Sequence, residues 1–278
     1  MTISLRTNVA SIQANAALNR TNHRLTDNMT RLSSGLRINR AGDDAAGLAI
    51  SEKFSADIRS LSQLKRNAND GISLIQTAEG ALSEVSQILM RMRELAIQGA
   101  TDTVADPQKA FLQEEFNELK SEIRRIGSTA DFNGITLLSG TYGSTNALTF
   151  QVGLTGEAAQ QISVSLATMT PTAIGVDTIS VTSSDDSRAS LSVIDSALST
   201  LSAQRAVMGA AQNRLQVAVN NISTQFTNIN AANSRIRDVD VAEETAHMSR
   251  NQILMQGGVA VLAQANSIPQ LAVRLLQG

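Results

Sequence analysis

One long stretch of the sequence, residues 191–236, constrains the fold more than any other. Apolar side chains recur along it every three or four residues, and its single glycine, Gly209, lies off the stripe. Such a repeat keeps apolar side chains on one helix face and is typical of helices that pack on other helices. At about 1.5 Å per residue the helix would be roughly 70 Å long, so other long helices must cover it. The stripe comprises Leu191, Ile194, Leu198, Leu201, Arg205, Met208, Gln212, Leu215, Val219, Ile222, Phe226, Ile229, Asn233 and Ile236.

Three other segments carry the same helical periodicity. Residues 3–36 do so in two phases that slip near residues 16–18, residues 45–99 form a second long stripe, and residues 241–276 form a looser one. In the second stripe, Gly71 and Gly80 are predicted to lie off the apolar face and to weaken the helix only slightly.

Helix starts are marked by acidic residues. We expect Asp43 and Asp44 to cap the helix from residue 45, and the acidic pair at 185–186 to cap the long helix that follows, because carboxylates accept from the free N–H groups of a first turn. A shorter helix is predicted with Asp106 as its N-cap and Pro107 as its first residue.

Residues 131–182 change to a two-residue alternation that predicts strands. Asn133–Gly134 is a strong signal for a two-residue hairpin turn. Alternating apolar residues predict further strands near residues 148–152, 162–166 and 179–181.

The order of these segments predicts a mainly α protein whose chain goes out and comes back. We expect a long antiparallel helical rod bundle with coiled-coil packing, a small β-hairpin region (131–182) at its tip and paired terminal helices. Residues 1–42 with 236–278 would form the terminal helices and their linkers, and residues 43–235 the rod domain.

Composition excludes several classes of function. The net charge of −2 gives no reason to expect a nucleic-acid partner, and the absence of Cys rules out disulfides and thiolate chemistry. The first residues lack a cationic start followed by an apolar run, so we expect no cleaved secretory signal, and no apolar run is long enough for membrane insertion. No cofactor is expected.

Nothing in the sequence predicts an enzyme. The glycines of the β region match no phosphate-binding loop, and the two histidines, His23 and His247, are too few for a metal site and lie far from any nucleophile motif. Arg205, Gln212 and Asn233 interrupt the long stripe, and they are interpreted either as partly exposed or as residues that set helix register.

The two terminal segments carry too few large apolar side chains to offset the entropy lost on ordering them. We therefore predict that residues 1–35 and 245–276 are largely disordered in the monomer and become helical on self-assembly.

Several motifs closely resemble bacterial flagellins. At the N-terminal end these are Arg31-Leu-Ser-Ser-Gly-Leu-Arg-Ile-Asn39, Asp43-Asp-Ala-Ala-Gly-Leu-Ala-Ile50 and Arg66-Asn-Ala-Asn-Asp-Gly-Ile-Ser73. At the C-terminal end they are Ser234-Arg-Ile-Arg-Asp238, Met248-Ser-Arg-Asn-Gln-Ile-Leu254 and Val261-Leu-Ala-Gln-Ala-Asn266. The resemblance covers about residues 1–155 and 185–278, which leaves almost none of the variable outer region of that family and implies a minimal flagellin.

This resemblance implies a subunit that polymerises with itself into the helical flagellar filament used for swimming. The terminal helices would form the inner tube and the rods the outer tube. The implied polymerisation stripe comprises Leu5, Val9, Ile12, Leu25, Met29, Leu32, Val261, Ala265, Ile268 and Leu275.

The segment Leu89-Met-Arg-Met-Arg-Glu-Leu-Ala-Ile-Gln98 resembles the flagellin segment that the host Toll-like flagellin receptor recognises, with Met90 and Leu119 departing from the pattern. The implied outer-tube contact and receptor surface comprises Leu89, Arg91, Glu94, Leu95, Gln98, Glu115 and Ile194. By default Arg91 and Arg93 would only form a solvated face.

The resemblance also implies partners: the type III export apparatus, an export chaperone at the C-terminal helix, and the filament cap and hook-junction proteins. The location would be the secreted, extracellular filament. The alternatives are a hook–filament junction protein, which shares the end helices, a coiled-coil adaptor rod, and a membrane-surface protein, whose basic face and aromatic anchors the end helices lack.

Overall fold

The computed structural model describes residues 7–143 and 145–277, with side chains up to residue 267. Five long helices occupy most of this part of the chain: α1 (Val9–Ser34), α2 (Ala45–Gly99), α3 (Asp106–Thr129), α4 (Ser184–Arg237) and α5 (Val241–Gln277). Between α3 and α4 lie two antiparallel hairpins, β1 (Asp131–Phe132) with β2 (Ile135–Thr136), and β3 (Leu148–Gln151) with β4 (Gln161–Val164). The expected fold class, mainly α with a small β-hairpin region, is confirmed.

The chain divides into two compact units. Met1–Ala56 and Asn228–Gly278 form the terminal unit, and Asp57–Thr227 form the rod unit. The division falls within α2 and α4, each of which contributes residues to both units.

Within the rod unit, α2 and α4 are antiparallel. The guanidinium of Arg205 lies 3.5 Å from the carboxylate of Glu79, and that of Arg93 lies 2.8 Å from Asp195, so later residues of α2 meet earlier residues of α4. The third helix, α3, adds the fully buried Phe116 and Ile123. The helical part of the core contains, from α2 and α4, Ala68, Leu74, Ile75, Ala78, Leu82, Val85, Leu89, Met92, Leu95, Ala96, Ile194, Ala197, Leu201, Met208, Ala211, Leu215 and Val219.

The buried face of α4 is broader than the predicted stripe. Ile194, Leu201 and Met208 of that stripe are buried, whereas its Phe226 is 38% exposed. Small or polar residues that carry no apolar signal also lie on the buried face: Ser187, Ser190, Ala197, Gln204 and Ala211. A small side chain at these positions brings neighbouring backbones close, and Gln204 satisfies its amide by donating to the carbonyl of Ser165 (2.9 Å).

The first hairpin forms where the sequence predicts it. Asn133 (φ 52°) and Gly134 (φ 79°) both adopt the left-handed conformation, which the two-residue turn between β1 and β2 requires. In the second hairpin, the ring of Phe150 packs directly over Gly71 of α2, where a Cβ atom would lie 2.9 Å from the ring. The prediction that Gly71 lies off the apolar face is therefore wrong, because this glycine is buried and makes room for β3.

The expected strand near residues 179–181 is absent from the described chain. Instead the N–H of Val181 donates to the side chain of Gln113 (2.7 Å), and the ammonium of Lys120 donates to the carbonyl of Ile179 (2.5 Å). Side chains of α3 thus satisfy the backbone groups that a partner strand would have paired, while the apolar side chain of Val181 is buried.

The predicted capping by the acidic pair at α4 is wrong, because the hydroxyl of Ser183 accepts from the N–H of Asp186 (3.1 Å) and Asp185 and Asp186 lie in the first turn. The prediction also differs from the structure at α3. That helix begins at Asp106 with Ala105 as its N-cap, so the N-cap predicted at Asp106 is displaced by one residue. The side chain of Gln108, in the first turn, accepts a hydrogen bond from the N–H of Ala105 (3.0 Å) and so satisfies the backbone donor of the N-cap residue.

The rod core generates a stability prediction. Leu89 is fully buried, so Leu89→Ala should lower the free energy of unfolding by about 2–5 kcal/mol, the usual loss for a buried leucine. The neighbouring Met90 is 49% exposed and serves as the matched control, with an expected loss below about 0.5 kcal/mol for Met90→Ala. Denaturant unfolding of both variants measures the difference, and equal losses would contradict the assignment of Leu89 to the core.

Candidate functional site

Two surfaces carry the residues singled out by the sequence: the α1–α5 helix pair of the terminal unit, and the face of the rod unit around Arg91. Each surface belongs to one unit and is described separately.

The helices α1 and α5 pair in antiparallel orientation. The amide of Asn8, next to the start of α1, donates to the carbonyl of Ala265 (2.8 Å), whereas the amide of Asn251 donates to the side chain of Asn28 (2.7 Å). A Cβ atom on Gly258 would lie 3.0 Å from the side chain of Leu18, so these helices approach closely midway between the two hydrogen bonds.

The less exposed positions of both helices recur every three or four residues and form one continuous seam. On α1 and its N-cap they are Asn8, Ser11, Ala14, Leu18, Thr21, Leu25, Asn28 and Leu32. On α5 they are Glu244, Met248, Asn251, Met255, Gly258, Leu262 and Ala265. The spacing is that of a two-stranded coiled coil, but about half of the side chains are small or polar. Burial within the pair therefore removes little apolar surface from water.

The polymerisation stripe predicted from the sequence divides between two faces. Leu25 and Ala265 are each only 7% exposed and belong to the seam, together with the half-buried Leu32. The others point away from it: Val9 is 56%, Ile12 60%, Met29 54% and Val261 61% exposed. The predicted residues Leu5, Ile268 and Leu275 lie outside the residues whose side chains are described.

This division explains the phase slip near residues 16–18. Before the slip the apolar pattern follows the outward residues Val9 and Ile12, and after it the pattern follows the seam through Leu18 and Leu25. The single stripe predicted on α5 does not include its other outward apolar residues. These are Val241, Ile253, Leu254 and Val259, each more than half exposed.

An apolar groove of about 480 Å³ lies between the two helices. Its walls are formed largely by small residues, so neither helix fills the space beside the seam. The lining residues are Ala14, Ala17, Leu18, Thr21, Ile253, Leu254, Gly257, Gly258 and Val261.

The linkers at the ends of α1 and α4 are held together by backbone hydrogen bonds. Gly35 ends α1 in the left-handed conformation (φ 70°), and its carbonyl accepts from the N–H of Val239 (3.0 Å). The N–H of Arg37 donates to the carbonyl of Arg237 (2.7 Å), and the intervening Leu36 forms an antiparallel bridge with Asp238.

The predicted acidic cap of α2 has two distinct parts. Asp44 caps the helix, since its carboxylate accepts from the N–H of Gly47 (2.8 Å). Asp43 instead holds the preceding turn, where its carboxylate accepts from the N–H groups of Arg40 and Asn39 (3.0 Å each). These backbone donors lower the pKa of Asp43 below its ordinary value.

On the rod unit, the structure brings three of the predicted surface residues together. Arg91 on α2 lies 2.9 Å from Glu94 one turn further on and 2.8 Å from Glu115 of α3, and all three side chains are at least two-fifths exposed. Hydrogen bonds to both carboxylates raise the pKa of the Arg91 guanidinium, and the bond to Glu115 has a larger effect than the bond to Glu94. Gln98 is also exposed, two turns after Arg91.

Three other residues predicted for this surface are not part of it. Leu89, Leu95 and Ile194 are between 0% and 1% exposed and lie in the core of the rod unit. Placing them on a contact surface is therefore wrong, since a folded subunit offers a partner none of their area. Arg93, by contrast, is tied to Asp195 of α4 and only half exposed, so it is more than a solvated side chain.

The remaining polar residues in question have ordinary environments. His23 is exposed, and His247 lies 3.6 Å from Glu243 of the same helix. Within the described ranges, no group of three or more His, Asp or Glu side chains could hold a metal ion, and no helix is long and apolar enough to cross a membrane. Of the polar residues in the long stripe, Arg205 pairs with Glu79 across α2 and α4, and Gln212 is half-buried.

Comparison with known proteins places both ends of the chain in one family. The family described as the bacterial flagellin N-terminal helical region matches residues 5–143, and the bacterial flagellin C-terminal helical region matches residues 191–276. A flagellin of Bacillus subtilis is 44% identical, over 97% of this chain and 98% of its own length. A flagellar filament core protein of Brachyspira hyodysenteriae is 40% identical, over 98% of this chain and 99% of its own length.

Solved structures show the same fold. The crystal structure of a Bacillus cereus flagellin superimposes with a TM-score of 0.50 at 28% identity and covers 60% of this chain and 94% of its own. A structure described as a putative flagellar hook-associated protein from Vibrio parahaemolyticus gives a TM-score of 0.58 at 16% identity. The match covers 70% of this chain and 100% of that protein. At that identity the second structure supports the fold alone.

The turn held by Asp43 generates a pH prediction. Because folding lowers the pKa of this carboxyl, its stabilising effect is present above the ordinary carboxyl pKa and is lost as the pH falls through the lowered value. At neutral pH, Asp43→Asn should speed hydrogen exchange at the amides of Asn39 and Arg40. The difference from the unsubstituted protein should disappear in strong acid.

Amide exchange measured by NMR across this pH range tests the prediction. Asp70→Asn, at an exposed carboxylate of α2, is the control and should leave both amides unchanged. Equal exchange in the Asp43→Asn variant and the unsubstituted protein at neutral pH would show that the carboxylate does not hold the turn.

Proposed function

The chain belongs to the bacterial flagellin family and is a structural subunit of the flagellar filament, and from this premise we propose that its terminal helices build the filament core. It has the minimal size of that family, since relatives of nearly the same length match it almost from end to end. Those relatives are named flagellin or filament core protein, which favours a filament subunit over a hook–filament junction protein.

The observation that carries the proposal is the outward apolar face of the α1–α5 pair. Ile12, Val261 and Ile253 are 60%, 61% and 68% exposed, and the groove between the helices is apolar and unfilled. Exposed apolar surface of this extent is unfavourable in a free monomer and is typical of a protein–protein interface. In the proposed filament, helices of neighbouring copies cover this face.

The two units have different proposed roles because their packing differs. Residues 1–42 and 236–278 form the inner tube, and residues 43–235 form the outer one. The rod unit has a continuous apolar core of its own, whereas the α1–α5 seam is largely small and polar. The terminal helices therefore depend on neighbouring copies, and in the free monomer they are largely unfolded.

The remaining proposed partners are those that the family implies. The exposed Ile253, Leu254 and Val259 of α5 offer an apolar surface that an export chaperone would cover before assembly. Export through the flagellar type III apparatus then delivers the chain to the extracellular filament, where the cap and hook-junction proteins meet it. The exposed Arg91–Glu94–Glu115 cluster, with Gln98, is the surface proposed for outer-tube contacts and for the host Toll-like receptor.

Assembly tests the role of the outward face. Ile12→Asp places a charge on a face that neighbours would cover, so seeded or ammonium sulfate-induced polymerisation should fail, as it should after removal of both ends. Electron microscopy and sedimentation measure filament yield. The matched control is Asn22→Asp on an exposed polar position of α1, which should polymerise normally. Normal filaments from Ile12→Asp would refute the proposed core contact.

A second test concerns the Arg91 cluster. Arg91→Ala together with Glu94→Ala should reduce both filament yield and Toll-like receptor signalling, while thermal unfolding of the rod unit stays unchanged because these ion pairs are exposed. The control is Arg125→Ala, which removes a similarly exposed ion pair with Glu122 elsewhere on α3. Intact filaments and full signalling from the double variant would remove this surface from both roles.

A further inference from the structure

A buried polar cluster interrupts the α1–α5 seam. Asn28 is 7% and Glu244 6% exposed, and the amide nitrogen of Asn28 donates a hydrogen bond to the Glu244 carboxylate. The side-chain oxygen of Asn28 accepts from the amide of Asn251 (2.7 Å). The guanidinium of Arg31 lies 3.9 Å from the same carboxylate. These are polar groups in positions where apolar side chains would give a more stable seam.

The geometry of the cluster is specific to one alignment of the helices. Glu244 and Asn251 are seven residues apart, two turns on the same face of α5, and Asn28 inserts between them. One end of the Asn28 amide donates towards Glu244, and the other accepts from Asn251. Both ends are satisfied only when Asn28 lies between these two turns.

Any shift along the seam breaks this arrangement. If α1 moved by one heptad in one direction, Asn28 would lie between Glu244 and the linker before α5, and the amide of Asn251 would lose its acceptor. In the other direction Asn28 would lie between Asn251 and Gly258, and Glu244 would lose its buried amide donor. A buried carboxylate without donors is strongly unfavourable. The apolar residues of the seam discriminate poorly between alignments, because Leu18 and Leu25 would meet Met248, Met255 or Leu262 in each of them.

We propose that Asn28, Glu244 and Asn251 fix the register in which α1 pairs with α5, as a buried asparagine does in coiled coils. The inference rests on the proposed function, in which this pair forms the filament core. The seam is weak enough to need neighbouring copies, and the polar cluster ensures that a chain folding on the growing filament pairs its two ends in a single alignment.

Disulfide formation reports the register directly, because the chain contains no cysteine of its own. Leu18→Cys with Gly258→Cys joins positions that are adjacent in this structure. Ser11→Cys with Gly258→Cys and Leu25→Cys with Gly258→Cys report shifts of one heptad in either direction. Each pair is introduced into the full chain, assembled on filament seeds, oxidised and analysed on non-reducing gels.

The register variants are Asn28→Leu alone and Asn28→Leu with Glu244→Met, which makes the seam apolar without leaving a carboxylate unpaired. In both variants the yield of shifted disulfides, relative to the native pair, should rise about tenfold, the factor that corresponds to one buried hydrogen-bonded contact. Asn22→Leu, at an exposed position of the same helix, is the matched control and should give only the native disulfide.

The outcomes separate this inference from the function on which it rests. If the protein with Leu18→Cys and Gly258→Cys, and no register substitution, polymerises but does not cross-link, the proposed pairing in the filament core is wrong. If the variants polymerise and still give only the native disulfide, the register proposal is overturned and the core role stands. If both variants fail to polymerise while Asn22→Leu succeeds, the cluster contributes stability and not register, which also overturns the proposal.

Discussion

Burial of one continuous apolar face between α2 and α4 is the interaction on which the rod unit depends. The face exists because apolar side chains recur every three or four residues over both helices, so neither helix can remove its stripe from water alone. Antiparallel packing of α4 on α2 buries both stripes, from Ala68 to Leu95 on one helix and from Ile194 to Val219 on the other. Everything between them, from α3 to the hairpins, closes the remaining sides of this core.

The terminal unit uses the same spacing with different residues, and this difference separates its role from that of the rod. About half of its seam is small or polar (serine, threonine, asparagine, alanine and glycine), while valine and isoleucine side chains and Leu254 point outward. A helix pair with this distribution forms a continuous seam, but it leaves many of its large apolar side chains exposed to water. Its outward apolar side chains are exposed in a single subunit, and neighbouring copies would cover them in the proposed filament core.

Local signals determined what could be predicted from the sequence. Helix extent follows from periodicity and caps, and the bounds of α2 agree with the sequence pattern because each turn repeats the same information. The Asn133–Gly134 turn was predictable because both residues tolerate a positive φ. Two other features could not be predicted, since each depends on a partner distant in the chain. They are the hydrogen bond from the N–H of Val181 to the side chain of Gln113 and the packing of Phe150 on Gly71. For the same reason the two faces of α1 were merged into one predicted stripe.

The Arg91 segment shows why a sequence motif does not by itself define a contact surface. Leu89 and Leu95 alternate in the chain with Arg91, Glu94 and Gln98, and a motif match treats them alike. The helix separates them, because residues three or four apart share a face and the leucines point into the core. Their burial fixes the position of α2 beneath the ion cluster, while Glu115 reaches Arg91 from α3 only because the same core holds both helices. Recognition of this face by any partner therefore depends on residues that the partner never touches.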